Sequence, residues 1–186
     1  MGIIFVDFYG VIIKFIGNSY SSPQLAFFRN FFALIPIILL LIITRDIKNI
    51  FVGISKKFLF LCFLRGISFV LMQIFYYISI INMNFATATT LTFSSPIFIV
   101  VLSMLVLKEK IGLFRWSAIF IGFGGVLLIM NPTSELFSYI SILPLLAALC
   151  WAISNIVLKF IPEDISSVKI NFYSINFSYI GSLIIL

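Results

Sequence analysis

Apolar residues fill this chain in long runs with little alternation and few polar interruptions. The runs lie near residues 3–16, 25–43, 58–81, 85–107, 113–130, 138–158 and 170–186. A bilayer core takes about 20 apolar residues per helix, and open sheets leave backbone groups unpaired in lipid. The pattern therefore predicts an all-α fold, a polytopic transmembrane bundle in which short loops join seven helices.

Basic residues lie on one side of this predicted bundle. Nine Lys or Arg residues lie in the loops near 44–57, 108–116 and 159–169. None lies in the alternate loops 17–24, 82–84 and 131–137. Loops rich in Lys and Arg stay in the cytoplasm, which predicts a multi-pass protein of the cytoplasmic (inner) membrane with a cytoplasmic amino terminus. The net charge of +6 is then a topology signal, and no nucleic-acid partner is expected.

The composition narrows the classes of function further. Hydrophobic residues make up 62% of the chain and charged residues only 10%, and histidine is absent. A soluble domain carries roughly 25% charged residues, so the composition argues against a soluble enzyme. The lack of histidine removes a common general base and metal ligand. Cys62 and Cys150 lie inside apolar runs, as structural thiols do, and we expect no metal site and no cofactor.

The chain also resembles itself. Residues 7–41 align with residues 152–186 without a gap, and Lys14-Phe15-Ile16 falls on Lys159-Phe160-Ile161. An odd number of predicted spans separates the two copies, so they have opposite orientations. Inverted repeats of this kind are typical of secondary transporters, whose solute site lies near the membrane midplane between the repeats.

The repeat predicts how the chain is organised. We expect residues 1–132 to form a first repeat of five helices, the first of them clipped, and residues 133–186 to form the first two helices of an inverted second repeat. Doubling the repeat gives about 290 residues and ten helices. The sequence therefore predicts a fragment of a ten-helix carrier, whose reading frame continues past Leu186 with three more helices.

Three stretches carry a resemblance to a known family. Residues 85–132 have an Ala-Thr-rich helix start, a mid-helix Pro96, an acidic helix end at Glu109 and a Gly-rich fifth helix. The others are FFRNFFALIP at 27–36 and CWAISNIVLKF at 150–160. Together they resemble the EamA family of the drug/metabolite transporter superfamily. The first span and the FFR sequence are similar to those of bacterial importers of the S-adenosylmethionine-uptake kind.

The resemblance implies a function. It implies a secondary transporter that moves a small organic metabolite, such as an amino acid, a nucleoside or an S-adenosylmethionine-like solute, across the cytoplasmic membrane by alternating access. A coupling proton and a homo-oligomer are left open. Two alternatives remain, a truncated remnant that does not transport and a membrane-embedded transferase.

Charged residues inside the spans are the first candidates for solute binding. A carboxylate within the membrane is costly, so Asp7 is expected to face a cavity or a partner. Lys14 lies two turns further on the same face, and the pair could bind a zwitterion or carry a coupling proton. The alternative is that Asp7 sits at the cytoplasmic interface. Arg29, like Lys14, either snorkels to the membrane surface or, as the arginine that the resemblance matches, faces the central cavity or locks a helix pair.

Polar and aromatic residues supply the remaining candidates. Thr90 and Ser94, one turn apart and followed by Pro96, either line a solute path or bond their own helix. The other candidates are Tyr76 and Tyr77, together with Trp151 and Asn155. Asn155 is expected to point inward, because an amide facing lipid is costly, and it serves either a cavity or a bond between helices.

Overall fold

The computed structural model describes residues 12–17, 19–44, 50–130 and 139–186, and within these ranges the chain is helical and contains no strand. The helices are α1 (Ser22–Ile43), α2 (Lys56–Asn82), α3 (Phe85–Thr92), α4 (Ser95–Val106), α5 (Leu113–Met130), α6 (Ile142–Leu158) and α7 (Ser167–Ile185). A 3-10 turn, Tyr139–Ser141, precedes α6, and residues 12–16 are also helical. The prediction of an all-α fold is confirmed.

Several helices begin at a polar residue that the apolar runs do not include. The Ser21 side chain accepts a hydrogen bond from the backbone N–H of Gln24, and the Gln24 side chain accepts one from the backbone N–H of Ser21. Ser55 and Ser166 cap α2 and α7 in a simpler way, each with one side-chain bond. Such caps satisfy amides that a helix leaves unpaired in its first turn, so α1 and α7 begin a few residues before their apolar runs.

The predicted span 85–107 differs in the structure, because α3 and α4 divide it. Ser94 lies between them, and both its backbone N–H and its hydroxyl donate to the carbonyl of Leu91. The Ser94 carbonyl in turn accepts from the N–H of Ile97, in the first turn of α4. Pro96 also lies in that first turn, where its missing N–H costs no helical bond. The proline therefore starts a helix here, and the expectation of a proline inside one helix is wrong.

Four stretches of the described residues are long and apolar enough to cross a membrane. They are Ser22–Ile43, Lys56–Asn82, Phe85–Val106 and Tyr139–Leu158. Helix α5 adds a shorter apolar segment, Leu113–Gly125, and α7 carries buried serine side chains along one side. These helices support a multi-pass membrane protein.

Helix α2 lies at the centre of the bundle. It packs against α1, α3, α6 and α7, whereas α1 also packs against α7, and α4 packs against α6. Helix α5 contacts α3, and several of its large apolar side chains are exposed. The core around α2 therefore brings α7 into contact with both α1 and α2.

The contact between α2 and α7 depends on small residues. A Cβ atom built on Gly66 of α2 would lie 2.7 Å from the backbone oxygen of Ser174 on α7. Ser174, Ser178 and Ser182 are all buried on the α7 side, and the Ser178 hydroxyl donates to the Gly66 carbonyl at 3.0 Å. Small residues let helix backbones approach closely in membranes, so a larger side chain at Gly66 would force the backbones of α2 and α7 to shift.

We expect Gly66→Ala to destabilise the bundle by about 1–3 kcal/mol, the usual cost of overpacking. The measurement is the fraction that remains folded after heating in detergent, followed by size-exclusion chromatography. Gly181→Ala is the matched control on the same interface, because its Cβ would lie 3.6 Å from Val70 Cγ2, an ordinary contact. Equal losses in the two variants would contradict the close approach at Gly66.

Candidate functional site

Three polar residues from three helices meet in the interior of the bundle. They are Asn30 of α1, Gln73 of α2 and Ser178 of α7, and each is 1% exposed. Gln73 Nε2 donates to Asn30 Oδ1 at 3.0 Å, and Asn30 Nδ2 donates to the Ser178 backbone oxygen at 3.4 Å. All three lie about two turns or more from the ends of their helices. We call Asn30, Gln73 and Ser178 the amide cluster.

One atom of the amide cluster has no partner. Gln73 Oε1 is buried and accepts no hydrogen bond from the described residues. An unpaired buried acceptor costs about 1–3 kcal/mol, and such groups are rare in folded proteins. The site can therefore take one further donor, such as an N–H or O–H group of a bound solute.

An arginine and two aromatic rings lie beside the amide cluster. Arg29, next to Asn30 on α1, places its Cζ 5.1 Å from the centre of the Phe69 ring. The centres of the Phe69 and Trp151 rings are 5.7 Å apart, and Trp151 is 37% exposed. Stacked cations and rings attract through the ring quadrupole. We call Arg29, Phe69 and Trp151 the aromatic face, in which the planes of the two rings are tilted by 42°.

The predicted pair of charged residues is described only in part. Lys14 Nζ donates to the backbone oxygen of Met83 at 3.1 Å, where α2 ends. This bond ties residues 12–16 to the end of α2. Asp7 lies outside the described residues, so the pairing of Asp7 with Lys14 stays a prediction.

The hydroxyls of the predicted solute path bond to backbone oxygens of α3. Thr90 Oγ1 donates to the Ala86 oxygen at 2.7 Å, and Ser94 Oγ donates to the Leu91 oxygen at 2.6 Å. Thr90 is fully buried and Ser94 is nearly so, whereas Pro96 is exposed. The bonds are those of the packing alternative, and a role in solute binding stays a prediction.

The other predicted residues divide between core and surface. Tyr77 belongs to a buried cluster with Val70 and Ile74, and the half-buried Tyr76 has its ring centre 6.3 Å from that of Tyr77. Asn155 Nδ2 donates to the Trp151 oxygen at 2.8 Å, one turn back in the same helix. Of the predicted residues, Arg29 and Trp151 are therefore brought together on one face, through Phe69.

Sequence reasoning missed two residues, Asn30 and Arg65. Arg65 lies well inside the apolar run of α2, and its Nη1 donates to Asn171 Oδ1 on α7 at 3.1 Å. A charged residue inside a span is a functional candidate by itself, so this signal was present in the sequence. Asn30 follows Arg29 directly, but its partner Gln73 is distant in the chain, and only the fold pairs them.

Comparisons with known proteins point to one family of transporters. A sequence model described as the EamA-like transporter family matches residues 1–131. The S-adenosylmethionine uptake transporter of Rickettsia bellii is 32% identical over 166 residues, which cover 88% of this chain and 55% of that protein. The protein of the same name from Rickettsia conorii is 31% identical over 173 residues, covering 93% of this chain and 57% of the relative.

A second group of relatives matches a shorter stretch. The riboflavin transporter of Rhizobium johnstonii is 38% identical over 72 residues, which cover 39% of this chain and 24% of that protein. The chain thus spans a little over half the length of the S-adenosylmethionine relatives and matches a shorter part of the riboflavin transporter. No solved structure shows significant similarity to the chain.

We expect Asn30→Ala to destabilise the bundle by about 1 kcal/mol, within the range for hydrogen bonds between membrane helices. The loss leaves Gln73 with no amide partner on α1. A denaturant titration of the purified protein measures the free energy of unfolding, and the same measurement on Gln73→Ala and on the double variant completes a double-mutant cycle. Asn176→Ala is the control, because its side chain donates to Phe172 of its own helix. Additive effects of the two cluster variants would contradict the coupling.

Proposed function

Because this chain belongs to the EamA-like transporter family, we propose that it forms the solute-binding part of a secondary transporter. This transporter carries a small organic metabolite across the cytoplasmic membrane by alternating access. The chain acts as a carrier and not as an enzyme, and the complete carrier has an inverted second repeat that begins at about residue 133.

The observation that carries the proposal is the unpaired acceptor of the amide cluster. Gln73 Oε1 is buried without a donor, at a point where α1 and α2 from residues 1–132 meet α7 from residues 133–186. Solute sites of inverted-repeat transporters lie between the repeats at mid-depth. A solute donor at this oxygen would satisfy the acceptor and contact both repeats at once.

The aromatic face narrows the class of solute. Trp151 keeps more than a third of its surface exposed. A planar ring of the solute can stack on this exposed surface, while Arg29 and Phe69 lie on the opposite side of Trp151. S-adenosylmethionine and riboflavin, which name the relatives, both contain a planar heteroaromatic ring with polar edges. We therefore propose a nucleoside-like solute, with S-adenosylmethionine as the leading candidate because those relatives match most of the chain.

Further parts of the proposal concern direction and partners. The loop charges give a cytoplasmic amino terminus, a proton is the coupling ion through Asp7 and Lys14, and the lipid bilayer surrounds the bundle. A homo-oligomer is one way in which the second repeat could be completed.

Uptake of labelled S-adenosylmethionine into cells that express the complete gene product tests the proposed function. We expect saturable accumulation that excess unlabelled S-adenosylmethionine abolishes. Trp151→Ala should raise KM about fivefold or more, because stacking a base on an aromatic ring contributes about 1–3 kcal/mol. Trp116→Ala is the matched control, since Trp116 stacks on Phe120 within α5. Uptake no greater than in cells with an empty vector would overturn the proposal.

Asp7→Asn and Asn155→Ala test the predicted cavity residues. Both variants should lower uptake while the amount of protein in the membrane stays unchanged, because each removes a polar group from the proposed cavity. Asn82→Ala is the control, since Asn82 is the last residue of α2 and its side chain, like that of Asn155, donates within its own helix. Normal uptake by both test variants would reject their assignment to the cavity.

A further inference from the structure

We propose that Arg65 binds a carboxylate of the transported solute. Its subsite lies between α2 and α7, next to the aromatic face, and is formed by Arg65, Ser174 and Asn171. The inference rests on the proposed function and adds to it a chemical class, a solute with a free carboxylate.

Two unpaired atoms define the subsite. Arg65 Nε and Ser174 Oγ are both buried and have no hydrogen-bond partner among the described residues. The Cys62 thiol lies against the Ser174 hydroxyl and near Arg65, but a thiol is only a weak hydrogen-bonding partner and leaves the capacity of both groups largely unused. The guanidinium can only donate and the hydroxyl can donate, so both atoms call for an acceptor between α2 and α7.

The charge of Arg65 indicates that this acceptor is an anion. Arg65 lies within a stretch apolar enough to cross a membrane, where charged groups pair with one another or face a cavity. The ion pair that the described residues do form, Lys159 with Glu109 at 2.9 Å, involves neither Arg65 nor its helix. A carboxylate has the charge and the planar geometry that an arginine binds through two parallel hydrogen bonds.

Asn171 holds the guanidinium in a defined orientation. Its Oδ1 accepts from Arg65 Nη1 at 3.1 Å, which leaves the Nε side for a ligand. Asn171 and Ser174 are three residues apart on α7 and therefore lie on one face of that helix. Gly66 keeps this face close to α2. The alternating movements of a carrier, which separate packed elements in turn, give the solute access to Nε.

The spacing along α2 connects this subsite to the rest of the site. Arg65, Phe69 and Gln73 are each four residues apart, so they follow one ridge of the helix at intervals of about 6 Å. Phe69 belongs to the aromatic face and Gln73 to the amide cluster. A solute bound along the ridge would place its carboxylate at Arg65 and its ring one turn further on. S-adenosylmethionine carries both groups, whereas riboflavin has no carboxylate.

The experiment compares two solutes that differ only in this group. Uptake of labelled S-adenosylmethionine is measured in cells that express the complete gene product, and unlabelled S-adenosylmethionine or its decarboxylated analogue competes. For the wild type we expect the carboxylate to improve competition at least tenfold, as a charge-assisted hydrogen bond of about 1.5–3 kcal/mol would. In Arg65→Gln this ratio should fall to near one, and in Arg65→Lys it should take an intermediate value.

The ratio of the two competitors is independent of how much protein reaches the membrane, so a loss of expression cannot imitate the result. Arg115→Gln is the matched control, because Arg115 is exposed at the start of α5, and its ratio should equal that of the wild type. If Arg65 only links α2 to α7, Arg65→Gln will lower the amount of uptake and leave the ratio unchanged, which overturns the inference. A wild type that transports both compounds equally well also overturns it. A wild type without any uptake refutes the proposed function itself.

Discussion

The close approach of α2 and α7 at Gly66 is the contact on which the described site depends. Lipid gives helices no hydrophobic reason to associate, so packing of small residues and hydrogen bonds between helices hold such bundles together. At Gly66 both are present, since the missing side chain admits the α7 backbone and the Gly66 carbonyl accepts from Ser178. This contact fixes the position of α7 along α2, and therefore which residues of α7 lie beside Asn30 and Arg65.

Polar side chains collect along the contact between α2 and α7, which we call the seam, because lipid cannot satisfy their hydrogen bonds. The amide cluster lies on one part of the seam and Arg65 with Asn171 on another, and between them the aromatic face covers the side toward α6. The three buried atoms without partners all belong, among the described residues, to side chains of α2 or α7. One seam therefore both holds the bundle together and supplies its free hydrogen-bonding capacity.

The sequence predicts helix positions well and helix faces poorly, for one physical reason. Long apolar runs identify α1, α2 and α6, because crossing a bilayer needs a continuous apolar stretch. In a soluble protein an apolar stripe also shows which side of a helix is buried. Here apolar residues surround α1 and α2 on all sides, so no apolar stripe in the sequence shows that Asn30 faces Gln73 or that Arg65 faces Asn171. Ser94 was expected to lie within a helix, because a proline inside a membrane helix is usually tolerated.

The break at Ser94 gives this span a mechanical property. The N–H and hydroxyl of Ser94 bond to Leu91 of α3, whereas its carbonyl accepts from Ile97 of α4. Each hydrogen-bond ladder thus ends at the same residue, and Pro96 cannot add a further bond across it. Helices α3 and α4 can change their relative angle at Ser94 while the backbone hydrogen bonds within each helix stay intact. Bending at this joint breaks no hydrogen bond inside α3 or α4, and the contacts of both helices with α6 set how far the span can bend.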